Sequence, residues 1–274
     1  MTELSVIMTT YNENLNFLKA CIDSILKQTY KNFEFIIVTE PDETNIDYLE
    51  NVERLDKRVK ILKNNTKLGV SSSRNRAIVE SSGRYIAMID GDDYCDLMRL
   101  EKQLEFLDSN PEVSLVGSNM YLIDEDNNIM GERKYPELNK DIKQNFLLTM
   151  AIANPTVIVR RKDIEDIGLF DSRLSKAEDF DLWLRFMAKN KKMHNLQENL
   201  VYYRVKANHS EKRGSIHWRN NYIARKLYSK LIWPFHERFF SLCLFFIISR
   251  IPEFFLDSLF NLQIVNKLKG IKAN

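Results

Sequence analysis

Apolar residues fall in short runs near residues 4–9, 33–39, 59–63 and 85–89, and stretches of helical spacing separate them. The run Tyr85 to Ile89 is apolar on both faces, the pattern of a parallel strand buried between helix layers. In the first intervening stretch Leu15, Leu18, Ile22, Ile25 and Leu26 recur at helical spacing, and Asn14 stands where a cap would. The stretch Ser71 to Ser82 predicts another helix, with Gly83 as its stop. Leu97, Leu100, Leu104 and Leu107 predict a third, capped by Asp93 or Asp96. Beyond Asn110-Pro111 the strand-like run Ser114 to Asp124 and the turn signals Asp126-Asn127-Asn128 predict a hairpin and a more antiparallel second half. The alternation predicts an α/β fold with a Rossmann-like, doubly wound sheet flanked by helices.

Tyr85 to Ile89 delivers Asp90, Gly91, Asp92 and Asp93 to one strand end, and ligand sites of open α/β sheets lie outside the carboxyl ends of the strands. Three carboxylates so close repel one another, and a divalent cation relieves that repulsion. All-oxygen donors suit Mg²⁺ or Mn²⁺ better than Zn²⁺, with positions left for substrate phosphates. An acidic turn that merely caps a helix is the competing reading.

Six ordered blocks, the first of them running from the first strand to the second, bear on that choice. Leu4-Ser5-Val6-Ile7-Met8-Thr9-Thr10-Tyr11-Asn12-Glu13 opens the chain, followed by Phe33-Glu34-Phe35-Ile36-Ile37-Val38. Leu68-Gly69 precedes Ser73-Arg74-Asn75-Arg76-Ala77, and Gly83-Arg84-Tyr85-Ile86 leads into the acidic turn. Asn154-Pro155-Thr156-Val157, Gly168-Leu169-Phe170-Asp171 and Ala177-Glu178-Asp179-Phe180-Asp181-Leu182-Trp183 follow. Together they resemble family 2 glycosyltransferases over roughly residues 3 to 210. The resemblance implies the GT-A nucleotide-diphospho-sugar transferase fold for residues 1–210, with a nucleotide-sugar half at 1–110 and an acceptor half at 111–210, and leaves 211–274 as a C-terminal helical extension.

It also implies roles. Thr9, Tyr11 and Glu13 would border the nucleotide, with the Tyr11 ring free to pack on the base; ordinary loop packing is the alternative. The family's Asp-Asp-Gly-Ser pattern, whose acid reads the uracil, is replaced here by Thr39-Glu40-Pro41-Asp42. Glu40 can still accept from a base N–H but is one methylene longer. Arg74 would lie by the diphosphate, its alternative being a solvated helix residue. Asp90 matches the ribose-contacting acid of the Asp-x-Asp motif and Asp92 the direct ligand of Mn²⁺ or Mg²⁺, while Gly91 permits close backbone approach. Asp179, in the Glu-Asp motif, would be the base that deprotonates an acceptor hydroxyl and gives inversion. Acids in a helix's first turn also simply suit its dipole. Tyr202-Tyr203-Arg204 and Asn208-His209-Ser210 resemble the closing segment, with His209 a third metal ligand or a solvated loop residue. Trp183 and Phe186 read as core. No Gln-x-x-Arg-Trp follows the Glu-Asp block, so single-sugar transfer rather than processive synthesis is implied.

The net charge of +2 conceals an asymmetry: from Glu211 onward there are 11 Lys and Arg against 4 Asp and Glu, and 29 against 34 before it. The apolar run Phe239 to Ser249 falls short of the roughly 20 residues a spanning helix needs. A basic, aromatic-rich tail over residues 231–272 suits the surface of an anionic membrane. The competing reading is a helical hairpin packed on the catalytic domain or on a second subunit of a homo-oligomer. Cys21, Cys95 and Cys243 are too scattered for a disulfide framework, and no signal-like segment precedes the first strand, so the reducing cytoplasm, at its membrane face, is expected. No nucleic-acid module is recognisable. The expected activity is sugar transfer from a nucleotide-diphosphate sugar, UDP-linked by family habit, to a glycan or lipid-linked hydroxyl in cell-surface polysaccharide or lipopolysaccharide assembly. A nucleotidyltransferase and a non-catalytic nucleotide-sugar binder are the alternatives.

Overall fold

Strand β1 (Leu4–Thr10) runs at the centre of four parallel strands, paired on one side with β2 (Phe33–Thr39) and on the other with β4 (Tyr85–Asp90); β3 (Val59–Lys63) flanks β2. The structure, a computed structural model, describes residues 2–205 and 215–251. His209 and the end of the basic tail therefore lie outside the described residues.

The strands are buried on both faces because helices cover both. On one side α1 (Leu15–Leu26), α2 (Ile46–Leu55) and α4 (Arg99–Ser109) pack on Val6, Met8, Phe35 and Ile37. On the other α3 (Val70–Glu80), α6 (Arg161–Ile167) and α7 (Glu178–Ala188) pack on Ile7, Ile36 and Val38. Alternate residues of each strand thus enter opposite cores, as the strand period requires. Trp183 and Phe186 are wholly buried in the second core, as expected of core residues. Asn14 caps α1 as expected, its Oδ1 accepting from the Asn16 N–H at 2.9 Å.

The sheet continues past β4 into strands from the second half. β8 (Ile158–Arg160) is antiparallel to β4 and to β6 (Val113–Ile123), and β6 is parallel to β9 (Lys192–Arg204). The short β5 (Tyr94–Cys95) closes this edge against β9. The expected hairpin is present, since β7 (Ile129–Arg133) returns along β6. Asp124 carboxyl oxygens accept from the Asp126 and Asn128 N–H groups and fix its turn. The short α5 (Asn139–Asn145) lies between this hairpin and the Asn154–Thr156 3₁₀ turn.

Two local expectations are corrected. Helix α3 ends at Glu80 with an extended Ser81, so Gly83 is not its stop. A Cβ at Gly83 would sit 2.5 Å from the Ser5 backbone N, and the Gly83 N–H donates to Ser5 Oγ at 2.8 Å. Glycine is required there because the chain passes against β1. Nor does Asp93 or Asp96 cap α4 at its Met98 N-cap: Asp93 accepts from Arg204, and Asp96 closes a local turn onto the Met98 N–H.

After Arg204 the described chain resumes as α8 (Ser215–Ile232) and α9 (Phe235–Ile248). Their inner faces pack on the preceding part of the chain: Trp233 Nε1 donates to the Lys143 carbonyl at 2.9 Å and Ser241 Oγ to that of Leu147 at 2.7 Å.

Candidate functional site

β1, β2 and β4 are parallel and in register, so their carboxyl ends form one edge. Thr9 stands beside both Val38 and Asp90. The acidic turn after β4 is pinned from behind by Arg204 at the end of β9. Its backbone N–H donates to Asp93 Oδ1 at 2.8 Å and its Nε to the Asp92 carbonyl at 3.0 Å. The same guanidinium reaches the Asp124 carbonyl and Asn127, and its Cζ lies 3.9 Å from the centre of the Phe17 ring. A buried cation with all these partners holds the turn and lessens repulsion among its acids. A Cβ on Gly91 would meet Leu18, Met8 and Thr10 at 3.7 Å, ordinary contact, so the protein itself leaves room there.

Arg74, on α3, joins the turn to α7. Its Nη2 donates to Asp90 Oδ1 at 2.7 Å, and its Nη1 lies 3.5 Å from Glu178 Oε1. The guanidinium also lies over the Phe170 ring, at 5.5 Å from its centre. Asn75 anchors Phe170 by a reciprocal pair, donating to the Phe170 carbonyl at 2.8 Å and accepting from its N–H at 2.9 Å. Blocks far apart in sequence are thereby drawn together by one arginine.

Asp179 is half-buried in the first turn of α7, where its Oδ1 accepts from the Phe180 N–H at 2.7 Å. Burial, then the neighbouring Glu178 charge, push its carboxyl up to about 7, with Asp90 adding to this and Arg74 opposing it. Desolvation and like charge both disfavour the ionised form. A carboxylate so balanced can accept a proton near neutral pH.

Glu40, at the end of β2, is buried. Its Oε1 accepts from the Gly69 N–H at 2.9 Å and Ser73 Oγ at 2.8 Å, its Oε2 from the Leu68 N–H at 2.8 Å. Burial alone would raise its pKa, but these donors hold it below the usual glutamate range. It closes the amino end of α3, with the Asn64 side chain as a further donor to it. Tyr11 is 43% exposed, with Lys67 Nζ 4.4 Å from the centre of its ring. Glu13 Oε1 accepts from the Asn14 N–H at 3.1 Å and its carbonyl from Asn45 Nδ2 at 2.8 Å. The loop after β1 is further tied to that after β2 by Glu43, whose Oε2 accepts from the Asn12 N–H at 2.8 Å.

Thr9, Arg74, Asp90 and Asp179 therefore converge on the edge with the Asp92 turn, and Tyr11, Glu13 and Glu40 rim it. The sequence reading missed Glu178 as a partner of Arg74, although it stands in the same Glu-Asp motif, and missed Glu43 and Asn12 as loop ties.

Among the described residues no three of His, Cys, Asp and Glu are gathered so that they alone could hold a metal. Asp92, with Asp90 and Asp93 beside it, offers hard oxygen donors that fit Mg²⁺ or Mn²⁺ if a ligand's oxygens complete the shell. A separate cavity of about 220 Å³, lined by Arg84, Arg160, Arg161, Lys162 and Glu165, lies at the opposite end of β4. Arg160 and Arg161 donate there to main-chain carbonyls, including those of Val113 and Gly83. Those guanidinium groups serve the fold.

The chain is similar to known proteins. The family model described as Glycosyl transferase family 2 matches residues 5–168, a span that includes Arg74, Asp90 and Asp92 and ends before Asp179. An uncharacterized glycosyltransferase of Methanocaldococcus jannaschii is 32% identical over 282 aligned positions, covering 95% of this chain and 93% of its own. The UDP-Glc:alpha-D-GlcNAc-diphosphoundecaprenol beta-1,3-glucosyltransferase WfaP of Escherichia coli is 34% identical over 209, covering 76% of this chain and 79% of its own. Among solved structures, the mannosyltransferase PcManGT of Pyrobaculum calidifontis in complex with GDP-Man and Mn²⁺ superposes with a TM-score of 0.64 at 12% identity, covering 92% of this chain and 70% of that one.

Proposed function

The chain belongs to glycosyl transferase family 2, and on that premise we propose that it transfers a single sugar, with inversion, from a UDP-linked donor to a glycan or lipid-linked hydroxyl in cell-surface polysaccharide assembly. The nucleotidyltransferase alternative falls with the family assignment. The observation that carries the proposal is Asp179: a carboxylate pushed up to about 7, facing the Arg74–Asp90 pair across the strand edge.

In this reading Asp179 takes the proton of the acceptor hydroxyl while that oxygen attacks the anomeric carbon. The bond from that carbon to the diphosphate oxygen breaks on the opposite face, and the electron pair leaves with the nucleoside diphosphate. Arg74 holds fixed positive charge where the diphosphate charge grows. Asp90 holds the ribose, Thr9, Tyr11 and Glu13 border the nucleotide, and Glu40 reads the base. Asp92, with His209 from outside the described residues, would hold the divalent ion, which when bound supplies Lewis-acid stabilisation of the departing diphosphate. A Mn²⁺ complex in a protein of this fold supports that assignment. UDP is favoured over GDP because the UDP-Glc-dependent relative is the nearer in sequence.

A lipid-diphosphate acceptor, like that in the name of the Escherichia coli relative, gives the tail a use. Among the described residues no helix is long and apolar enough to cross a membrane. The outward face of α9 carries Phe235, Phe239, Phe240, Phe246 and Ile247, all exposed and at helical spacing, with Arg238 and Arg250 beside them. That stripe rests on the bilayer surface at its cytoplasmic face, next to the acceptor.

The test is nucleoside diphosphate release from a panel of nucleotide sugars with Mn²⁺ and a lipid-diphosphate sugar acceptor. Acceptor-dependent UDP release that Asp179→Asn cuts by roughly 10²–10⁴-fold, with donor binding intact, supports the reading. Donor binding without transfer to any acceptor, and unchanged by the substitution, returns the chain to a non-catalytic nucleotide-sugar binder.

A further inference from the structure

Helix α8 does more than cover the core, because three of its side chains grip the segment that carries Asp179. Asn220 Nδ2 donates to the Ser175 carbonyl at 2.8 Å, and His217 Nδ1 lies 2.5 Å from the Lys176 carbonyl. Lys176 is a non-glycine residue with φ of 65°, a backbone shape that needs such external support. Arg225 is the third. It is 1% exposed, and its Cζ lies 4.2 Å from the centre of the Phe180 ring and 3.6 Å from that of Phe245 on α9.

The surroundings of Arg225 are unusual for a buried cation. Its Nη2 donates to the Phe146 carbonyl at 3.0 Å, its Nε to Ser241 Oγ at 3.2 Å, and its Nη1 to Asn221 Oδ1. These are neutral acceptors, and burial pulls its pKa well down. A buried charge held by neutral groups is costly, and filling the same space with an apolar side chain would serve packing as well. What an apolar residue cannot do is hold two rings at fixed height by their faces while its fork is bonded on three sides. The ring it holds belongs to Phe180, whose N–H is the donor to Asp179.

We propose that Arg225 is a positioning residue for Asp179: clamped between Phe180 and Phe245, it fixes the first turn of α7 so that the carboxylate meets the acceptor hydroxyl in line with the donor. The proposal rests on the reading of Asp179 as the base. Through Phe245 it also makes the C-terminal helices part of the catalytic apparatus.

Arg225→Met fills most of the volume without the charge or the fork. Asp179 is faced by Glu178 on its own helix, Arg74 on α3 and Asp90 at the end of β4. None of these is altered. A loosened turn lets water reach the carboxylate, which lowers its pKa, so the acid limb of kcat moves to lower pH. A misplacement of about 1 Å costs on the order of 10²-fold in kcat. Donor KM stays within about twofold, because the nucleotide edge lies on β1, β2 and β4, and hydrogen exchange of the peptide spanning residues 175–184 quickens. Phe245→Leu, which removes one ring and leaves the arginine, shows the same changes more weakly and stands in if the methionine variant does not fold. A folded variant with unchanged kcat, acid limb and exchange overturns the proposal, as does a loss confined to donor KM. If the wild type transfers no sugar, the assignment of the base fails instead, while the exchange measurement still reports whether Arg225 holds the turn.

Discussion

Arg74 Nη2 meets Asp90 Oδ1 at 2.7 Å, and this contact sets much of the charge that Asp179 faces. Burial, then the Glu178 charge, drive the rise in the Asp179 pKa, Asp90 adds to it, and the arginine opposes it. Replacing Arg74 by Gln removes the opposing charge and leaves both acids. The Asp179 carboxyl then titrates above its present value of about 7. Because a general base works only when ionised, the acid limb of kcat shifts to higher pH, the reverse of the shift expected for Arg225→Met. Transfer falls on the order of 10²–10³-fold as the diphosphate loses a fixed cation. A rate profile across pH 5–9 reads both effects, and an acid limb that stays in place would rule out electrostatic coupling between the two residues.

Asp179 also bears on stability, and the sign follows from its raised pKa. Above pH 7 the group is ionised in folded and unfolded chains alike, but only the folded chain bears its burial and the repulsion of Glu178. Asp179→Asn should therefore melt higher than the wild type at pH 8. The gap should start to narrow as pH falls through about 7, where the folded carboxyl takes up its proton, and close near 3.8, where the unfolded one does. Melting curves at pH 5 and pH 8 check this, and an asparagine variant less stable at pH 8 contradicts the raised pKa.

Glu40 calls for the opposite bookkeeping. Its pKa is held down by the donors of Leu68, Ser73 and Gly69, so its stabilisation is present above the usual glutamate value of 4.5 and is lost as pH falls through its lowered folded pKa. Glu40→Ala leaves buried donors at the start of α3 unmet. The cost is about 2 kcal/mol, or roughly 4–8 °C in Tm for a chain of this size. If Glu40 also reads the base, the variant loses preference among nucleoside diphosphates in thermal-shift titrations. A stable variant with unaltered preference would remove Glu40 from the site altogether.

Much of the architecture is legible in the sequence because it is written locally. The strand ending at Asp90 announces itself as a continuous apolar run, Asn14 precedes a helical stripe, and the turn after Ile123 carries its own Asp and Asn signals. The misread features depend on partners far along the chain. Gly83 resembles a helix stop until Ser5 is seen against it, and Asp93 resembles a cap until the Arg204 N–H takes its oxygen. Strand β9 was not foreseen, because Asn195, Gln197, Glu198 and Asn199 break its apolar alternation; its polar side chains bond to loops that only the folded sheet brings near, as Asn195 does to the Pro136 carbonyl. The site shows the same division. Asp90, Asp92 and Asp179 stand in recognisable motifs, whereas the bridge from Arg74 to Glu178 exists only after α3 and α7 have packed on the same face.

The metal assignment has a direct test. Asp92→Ala should abolish the Mn²⁺-dependent part of UDP thermal stabilisation while the turn itself stays held, since Arg204 grips it through the Asp92 carbonyl and Asp93. Ligand present at about 100 times its Kd stabilises by about 2.7 kcal/mol, well above detection. Equal stabilisation of both proteins by Mn²⁺ and UDP would move the ion elsewhere.

The outward stripe of α9 makes a prediction that catalysis does not. Phe239 and Phe240 are 57% and 62% exposed, so replacing both with serine should leave Tm unchanged, whereas removing buried Phe245 should not. Surface residues outside special environments alter stability by less than about 0.5 kcal/mol. If the stripe lies on an anionic bilayer, the double variant should bind phosphatidylglycerol vesicles at least about tenfold more weakly in sedimentation, since insertion of even one ring is worth more than 1.4 kcal/mol. Added salt should weaken the wild type further by screening Arg238 and Arg250. Transfer to a water-soluble acceptor analogue should be unaffected, and transfer to a vesicle-embedded lipid acceptor should fall with binding. Vesicle binding that survives the double substitution would place the contact on another surface, and a wild type that ignores vesicles but sediments as a dimer dissociated by the same substitutions would make the stripe a subunit interface.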